Sequence, residues 1–157
     1  MKTKRKQISV SFVGKYELTV LSDSRVILPI DVIRQLKDQG IKKLLPARLP
    51  YLRALLLCPE IFWDRWRRTL IKRFPCLKTN NGARTFLIPW QPISWDSKGR
   101  ISLQRRAREF AGIEPYQTVI ILGNNYCFEL WSEKKNNEIT RECEDALQRS
   151  ARSLASI

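Results

Sequence analysis

The chain has 157 residues, 43% of them hydrophobic, which suits one ordinary packed domain or two small ones and excludes a disordered polymer. Its 29 Lys and Arg against 15 Asp and Glu leave a formal net charge of +14, and a polyanion is the expected partner. With no histidine and four dispersed cysteines, Cys58, Cys76, Cys127 and Cys143, the chain lacks the commonest general base and the ligand spacing of a zinc site; an enzyme, a metal and any other cofactor are not expected.

No apolar run approaches the roughly 20 residues needed to span a bilayer, so a soluble, cytoplasmic protein is expected. Residues 1–11 read as a basic arm around Lys2, Lys4, Arg5 and Lys6. From Ile8 to Leu21 apolar and polar residues alternate as in a strand with one buried face, with a break near Gly14. Arg25 to Leu28 continues as a second short strand. Pro29 can occupy a first helical turn, with Val32, Ile33 and Leu36 forming one stripe and Gly40 the stop.

Ile41 to Tyr51 reads as a loop, and Ala54 to Cys58 as a buried strand closed by Pro59. Between Pro59 and Pro75, Phe62, Trp66, Leu70 and Phe74 recur every four residues as one helix face, opposite Arg65, Arg68 and Lys72. A linker, Thr79 to Gly82, precedes a second round: strands at Thr85–Ile88, near Ile93–Trp95 and at Ile101–Leu103, then a short helix ended by Gly112. Strands Val119–Leu122 and Tyr126–Trp131 follow, joined by the turn Gly123-Asn124-Asn125. Residues from Ser132 onward form a charge-mixed helical tail.

Arg25-Val26-Ile27-Leu28-Pro29 aligns with Arg100-Ile101-Ser102-Leu103-Gln104, each followed by a short helix and an apolar strand. The pattern is an internal duplication. The chain divides into the arm 1–11, a first repeat 12–78 with its amphipathic helix, a second repeat 79–135 and a helical or flexible tail 136–157.

The densest chemical signal is Trp95-Asp96-Ser97-Lys98-Gly99-Arg100, a turn presenting two cations around a glycine that can take positive φ. Arg100 offers a planar fork for guanine O6 and N7 or for phosphate, Lys98 a compact charge for phosphate, and Asp96 a carboxylate able to orient Arg100. Arg25 stands at the same offset in the first repeat. Arg105, Arg106 and Arg108 lie on the following helix, where they either support DNA contact or form a solvated face.

The string Gly99 to Leu103, Arg108 to Ile113, Val119 to Asn124 and Phe128 to Trp131 resembles the second half of MraZ proteins. Phe12-Val13-Gly14, Arg25 and Cys58-Pro59 before a Trp-bearing helix resemble the first, so the resemblance covers roughly residues 12 to 135. Two departures stand out. Where the family's first repeat reads D-x-K-G-R, this chain has Leu21-Ser22-Asp23-Ser24-Arg25, and Gln104 replaces the usual proline.

The resemblance implies an α+β, β-rich fold of two tandem AbrB-like swapped-hairpin modules, forming a small double barrel with short helices. It implies a nucleoid-associated transcriptional regulator, assembled as a homo-oligomeric ring. Such a ring would bind double-stranded DNA at short direct repeats ahead of division and cell-wall genes. DNA contact would then fall to Arg25, Asp96, Lys98, Gly99, Arg100, Arg105 and Arg106. Composition leaves two alternatives open: a basic RNA- or ribosome-associated protein, and an AbrB-like antitoxin or interaction subunit whose tail wraps a partner.

Overall fold

Two antiparallel ladders organise the chain in the computed structural model, which describes residues 11–49, 52–78 and 81–156. In chain order the elements are β1 (Lys15–Thr19), β2 (Val26–Ile27), α1 (Ile30–Asp38), β3 (Leu44–Arg48), β4 (Leu55–Pro59), α2 (Trp63–Arg73), α3 (Gly82–Phe86), β5 (Arg100–Ile101), α4 (Arg105–Ala111), β6 (Thr118–Asn124), β7 (Cys127–Ser132) and α5 (Glu133–Ala155). Short 3-10 turns precede and follow α2. The larger sheet runs β1-β6-β7-β4-β3, and β2 pairs with β5 apart from it.

Successive residues of a strand point to opposite faces, and here both faces are covered. Leu55, Leu57, Val119, Ile121, Phe128 and Leu130 enter one core with Val26, Leu28, Ile101 and Leu103, beneath α1 and α4. Leu56, Cys58, Ile120, Cys127 and Trp131 enter the other, against Trp63 and Trp66 of α2 and Ile139 of α5. Continuous apolar runs such as Leu55-Leu56-Leu57-Cys58 are therefore buried on both sides, each large side chain contributing roughly 1.5–3 kcal/mol.

The duplication becomes a pseudo-two-fold axis. Val26 faces Ile101 in the small ladder, at the 75-residue offset that aligns the halves, so the axis passes between them. It also passes between Leu56 and Glu129, which face each other where β4 meets β7. Strands of the two halves interleave, since β1 pairs with β6 along Lys15–Thr19. The symmetry-related place beside β3 is held by a single bridge, Leu44 to Ile93.

That bridge replaces the strand expected near Ile93–Trp95. Pro46 of β3 is turned toward this segment and has no amide hydrogen, so the ladder does not extend past the bridge. The architecture is accordingly mixed α+β with two open antiparallel sheets; among the described residues no closed barrel forms where a double barrel was expected.

Three further expectations are corrected. Thr85–Ile88 is not a strand: Thr85 falls in α3, its amide and hydroxyl both donating to the Asn81 carbonyl at 3.1 Å, and Leu87 packs with Leu70 and Leu77. The loop expected over 41–51 contains β3 despite Pro46. In a strand a residue's N and O point the same way. The Pro46 carbonyl accepts the Trp90 amide at 2.8 Å on the outer side, so its missing donor falls on the outer edge and costs no bond to β4. The strand expected over Ile101–Leu103 shrinks to Arg100–Ile101, because α4 already begins after Gln104.

The final turn is displaced by one residue. β6 runs through Asn124, which pairs with Cys127, and Asn125 takes φ 58° in a two-residue turn with Tyr126. The helical tail is present as α5, opened by Ser132, whose hydroxyl accepts the Lys135 amide at 3.2 Å. The strand start at Ile8 and the arm's Lys2, Lys4, Arg5 and Lys6 lie outside the described residues. No helix among the described residues is long and apolar enough to cross a membrane.

Candidate nucleic-acid interface

β2 and β5 form a two-stranded ribbon entered from two turns of equal construction. In the second, the Gly99 amide donates to the Asp96 carbonyl at 3.0 Å and the Asp96 amide to the Arg100 carbonyl at 3.1 Å. In the first, Ser24 donates to Leu21 and Leu21 to Arg25, both at 2.9 Å. Gly99 has φ 77° and Ser24 φ 67°. The first turn thus keeps the left-handed bend without glycine, at a backbone cost of roughly 1–2 kcal/mol.

Gly99 has no such freedom. A Cβ there would lie 2.8 Å from Cδ1 of Ile33 and 3.3 Å from the Leu28 carbonyl oxygen. Leu28 donates its amide to the Gly99 carbonyl at 2.8 Å, which seats the second turn against the end of β2.

Each arginine is held by a carboxylate. Asp96 accepts the Lys98 and Arg100 amides through Oδ1, both at 2.9 Å, and Arg100 Nε through Oδ2 at 2.6 Å. Asp23 accepts the Arg25 amide at 3.1 Å and Arg25 Nε at 2.7 Å. Arg25 Nη1 also comes within 4.0 Å of Asp96 Oδ2, so the four side chains make one charge-balanced cluster across the ribbon. The Arg100 amide, then its side chain and the Lys98 amide, hold the Asp96 carboxyl below its ordinary value against some opposing desolvation. The Arg25 side chain does the same, foremost, for Asp23.

The geometry differs from free arginine tips. Arg25 and Arg100 sit at the bases of their turns with side chains 36% and 30% exposed, whereas Lys98 is fully presented at a tip. In both arginines the carboxylate binds through Nε, and among the described residues no hydrogen bond engages the Nη groups. Those groups retain the donors that a two-acceptor edge requires.

On α4 the three arginines separate. Arg105 is exposed and paired with Glu109 at 2.8 Å; Arg108 turns its Nε to the Leu103 carbonyl at 3.3 Å; Arg106 is exposed with no ion pair among the described residues. Gln104 enters α4 with φ −59° and ψ 146°, matching Pro29 before α1 at φ −57° and ψ 146°, so the lost proline leaves the entry angle unchanged. The ribbon and Lys98 are therefore brought together with the start of α1, where Lys98 lines one cleft with Pro29, Ile30 and Ile33. The basic side of α2 is not: it lies across the larger sheet, with Arg65 stacked on Tyr126 at 4.3 Å.

Two contributors are not evident from the motif. Asp23, which the family's D-x-K-G-R pattern does not have at this place, neutralises and orients Arg25. Ser24 looks like a lost glycine, yet it makes the same bend; the signal available was its 75-residue offset from Gly99. No three Cys, Asp or Glu side chains gather as a metal site would require among the described residues.

A family model for the MraZ protein, described as antitoxin-like, matches residues 89–155. The chain is 30% identical over 150 residues to a transcriptional regulator MraZ of Treponema denticola, covering 92% of this chain and 97% of the relative. It is 30% identical over 145 residues to that of Leuconostoc mesenteroides, covering 91% and 96%. With that of Bacteroides fragilis it shares 25% identity over 135 residues, covering 85% and 84%.

Proposed function

The chain belongs to the MraZ family of transcriptional regulators, and on that premise we propose that it binds double-stranded DNA sequence-specifically, as a homo-oligomer on short direct repeats. The observation that carries this reading is the β2–β5 ribbon, which holds Arg25 and Arg100 about one pseudo-two-fold axis with their Nη groups available.

Arg100 and Arg25 would reach guanine O6 and N7 or phosphate, steadied by Asp96 and Asp23. Lys98 and Arg106 would neutralise flanking phosphates, with Arg105 in support and Gly99 setting the bend. One ribbon supplies few contacts. A heterologous ring would repeat it in one orientation, so direct repeats would be engaged by avidity. The interleaving of β1 with β6 supports the swapped-hairpin organisation, with repeats over 12–78 and 79–135, a basic arm over 1–11 and a tail over 136–157. Control of division and cell-wall genes and a place on the nucleoid follow from the family resemblance.

A second reading, an antitoxin-like interaction subunit, draws on α5, which is exposed at every residue from 140 to 155. Gel shifts with direct-repeat duplex, inverted-repeat duplex and structured RNA, across a salt series, test the first reading. Preference for the direct repeat that persists as salt rises is expected. Equal, salt-labile binding to all three would refute it.

A further inference from the structure

Most arginines near the ribbon have an acidic partner: Arg25 with Asp23, Arg34 with Asp31, Arg100 with Asp96 and Arg105 with Glu109. At the open edge of β3 the pattern changes. Arg48, at the end of β3, lies over Trp90 at 5.3 Å and over Phe110 of α4 at 4.9 Å. Arg53 lies over the same Phe110 ring at 5.4 Å. None of Arg48, Arg53 and Arg84 has an ion pair or a hydrogen bond to an acid among the described residues. A cleft of about 340 Å³ opens beside them, lined by Arg48, Arg84, Thr85, Ile88, Pro89 and Trp90.

Aromatic rings satisfy the faces of a guanidinium and leave its N–H edge for an in-plane acceptor, and an oxyanion such as phosphate or carboxylate fits that fork. Cations gathered without a carboxylate repel one another until an anion joins them. Besides Thr85, the rest of the cleft is formed by Ile88, Pro89 and the Trp90 ring, and its volume falls at the lower end of the roughly 300–1,000 Å³ range of ligand pockets. The cleft exists because the duplication breaks here: a single bridge, Leu44 to Ile93, holds the segment where a β1-like strand would run. Across the pseudo-two-fold axis the place of Arg48 is taken by Gly123 and that of Trp90 by Lys15, so the arrangement is not repeated there.

We infer that the Arg48–Arg84–Trp90 cleft binds one nucleoside phosphate unit, its phosphate on the arginine edges and its base against the Trp90 wall. The unit is either a free mononucleotide or one nucleotide of a nucleic-acid strand. This site is separate from the ribbon and does not depend on the ribbon's role.

Calorimetric titration of the full chain with ADP, inorganic phosphate and a short single-stranded oligonucleotide tests it, using wild type, Arg84→Ala, Arg53→Ala and Lys98→Ala. Arg84 and Arg53 are exposed, so their removal leaves the fold in place, and circular dichroism verifies this. Saturable ADP binding at one per chain, tighter than phosphate and weakened about tenfold or more in Arg84→Ala but not Lys98→Ala, supports a free nucleotide. Oligonucleotide binding that is weakened about tenfold or more in Arg84→Ala, with no ADP binding, supports a strand-borne one. No saturable binding of either, or binding indifferent to Arg84 and Arg53, overturns the inference.

Discussion

Ser24 and Gly99 occupy the same place in two symmetry-related turns and take nearly the same left-handed backbone, φ 67° and φ 77°, although only one of them is glycine. Their surroundings make the pair unequal in what each tolerates. Ser24→Gly should stabilise the fold by about 0.5–1 kcal/mol, the relief of strain being partly offset by the added freedom of the unfolded chain. Gly99→Ala should destabilise it by about 1–3 kcal/mol, since the left-handed backbone strains any residue with a Cβ and Ile33 and the Leu28 carbonyl crowd its place. Urea denaturation of the two variants checks both signs; a Gly99→Ala protein as stable as wild type contradicts the packing described.

Asp96 carries a pH signature. Its folded-state pKa is depressed, so its contribution to stability is present above the ordinary carboxylate value and is lost as pH falls through the folded value. Asp96→Asn should be less stable than wild type at neutral pH, and the gap should close under strongly acidic conditions. Asp23→Asn should behave alike. Thermal melts across pH, showing a gap that is constant or widens on acidification, would reverse this sign.

Arg100 and Lys98 should fail differently if the ribbon reads DNA. Arg100→Ala should cost about 1–3 kcal/mol on the preferred duplex and relax the preference. Lys98→Ala should weaken all duplexes alike and lower the slope of log K against log salt by about 1. Fluorescence anisotropy at several salt concentrations separates the two. A Lys98→Ala protein with altered sequence preference would reassign its contact from backbone to base.

Val26 and Ile101 face one another on the pseudo-two-fold axis, and both are fully buried. Ile101→Ala should cost about 2–5 kcal/mol. Paired with Val26→Ala, the losses should be non-additive, with a coupling of about 0.5–3 kcal/mol, because the two side chains share one space. Strict additivity in a double-mutant cycle would mean that the halves do not pack there.

Much of this protein was legible from one dimension. The alternation in β1, the apolar runs of β4, β6 and β7, the stripe of α1 and the capped start of α5 follow from local periodicity and from where Pro, Gly and Ser stand. The 75-residue echo of Arg25 in Arg100 was equally plain. Local pattern could not place β3, whose Pro46 is tolerated only because its nitrogen faces the outer edge, nor α3, whose Thr85 alternates like a strand residue but answers to Leu70 and Leu77. The Asp23–Arg25–Asp96–Arg100 cluster and the carboxylate-free arginines around Phe110 were hidden for the same reason. Periodicity reports which face of an element is buried; which side chains then meet depends on contacts between residues far apart in the chain, and those exist only once the two halves have folded about their common axis.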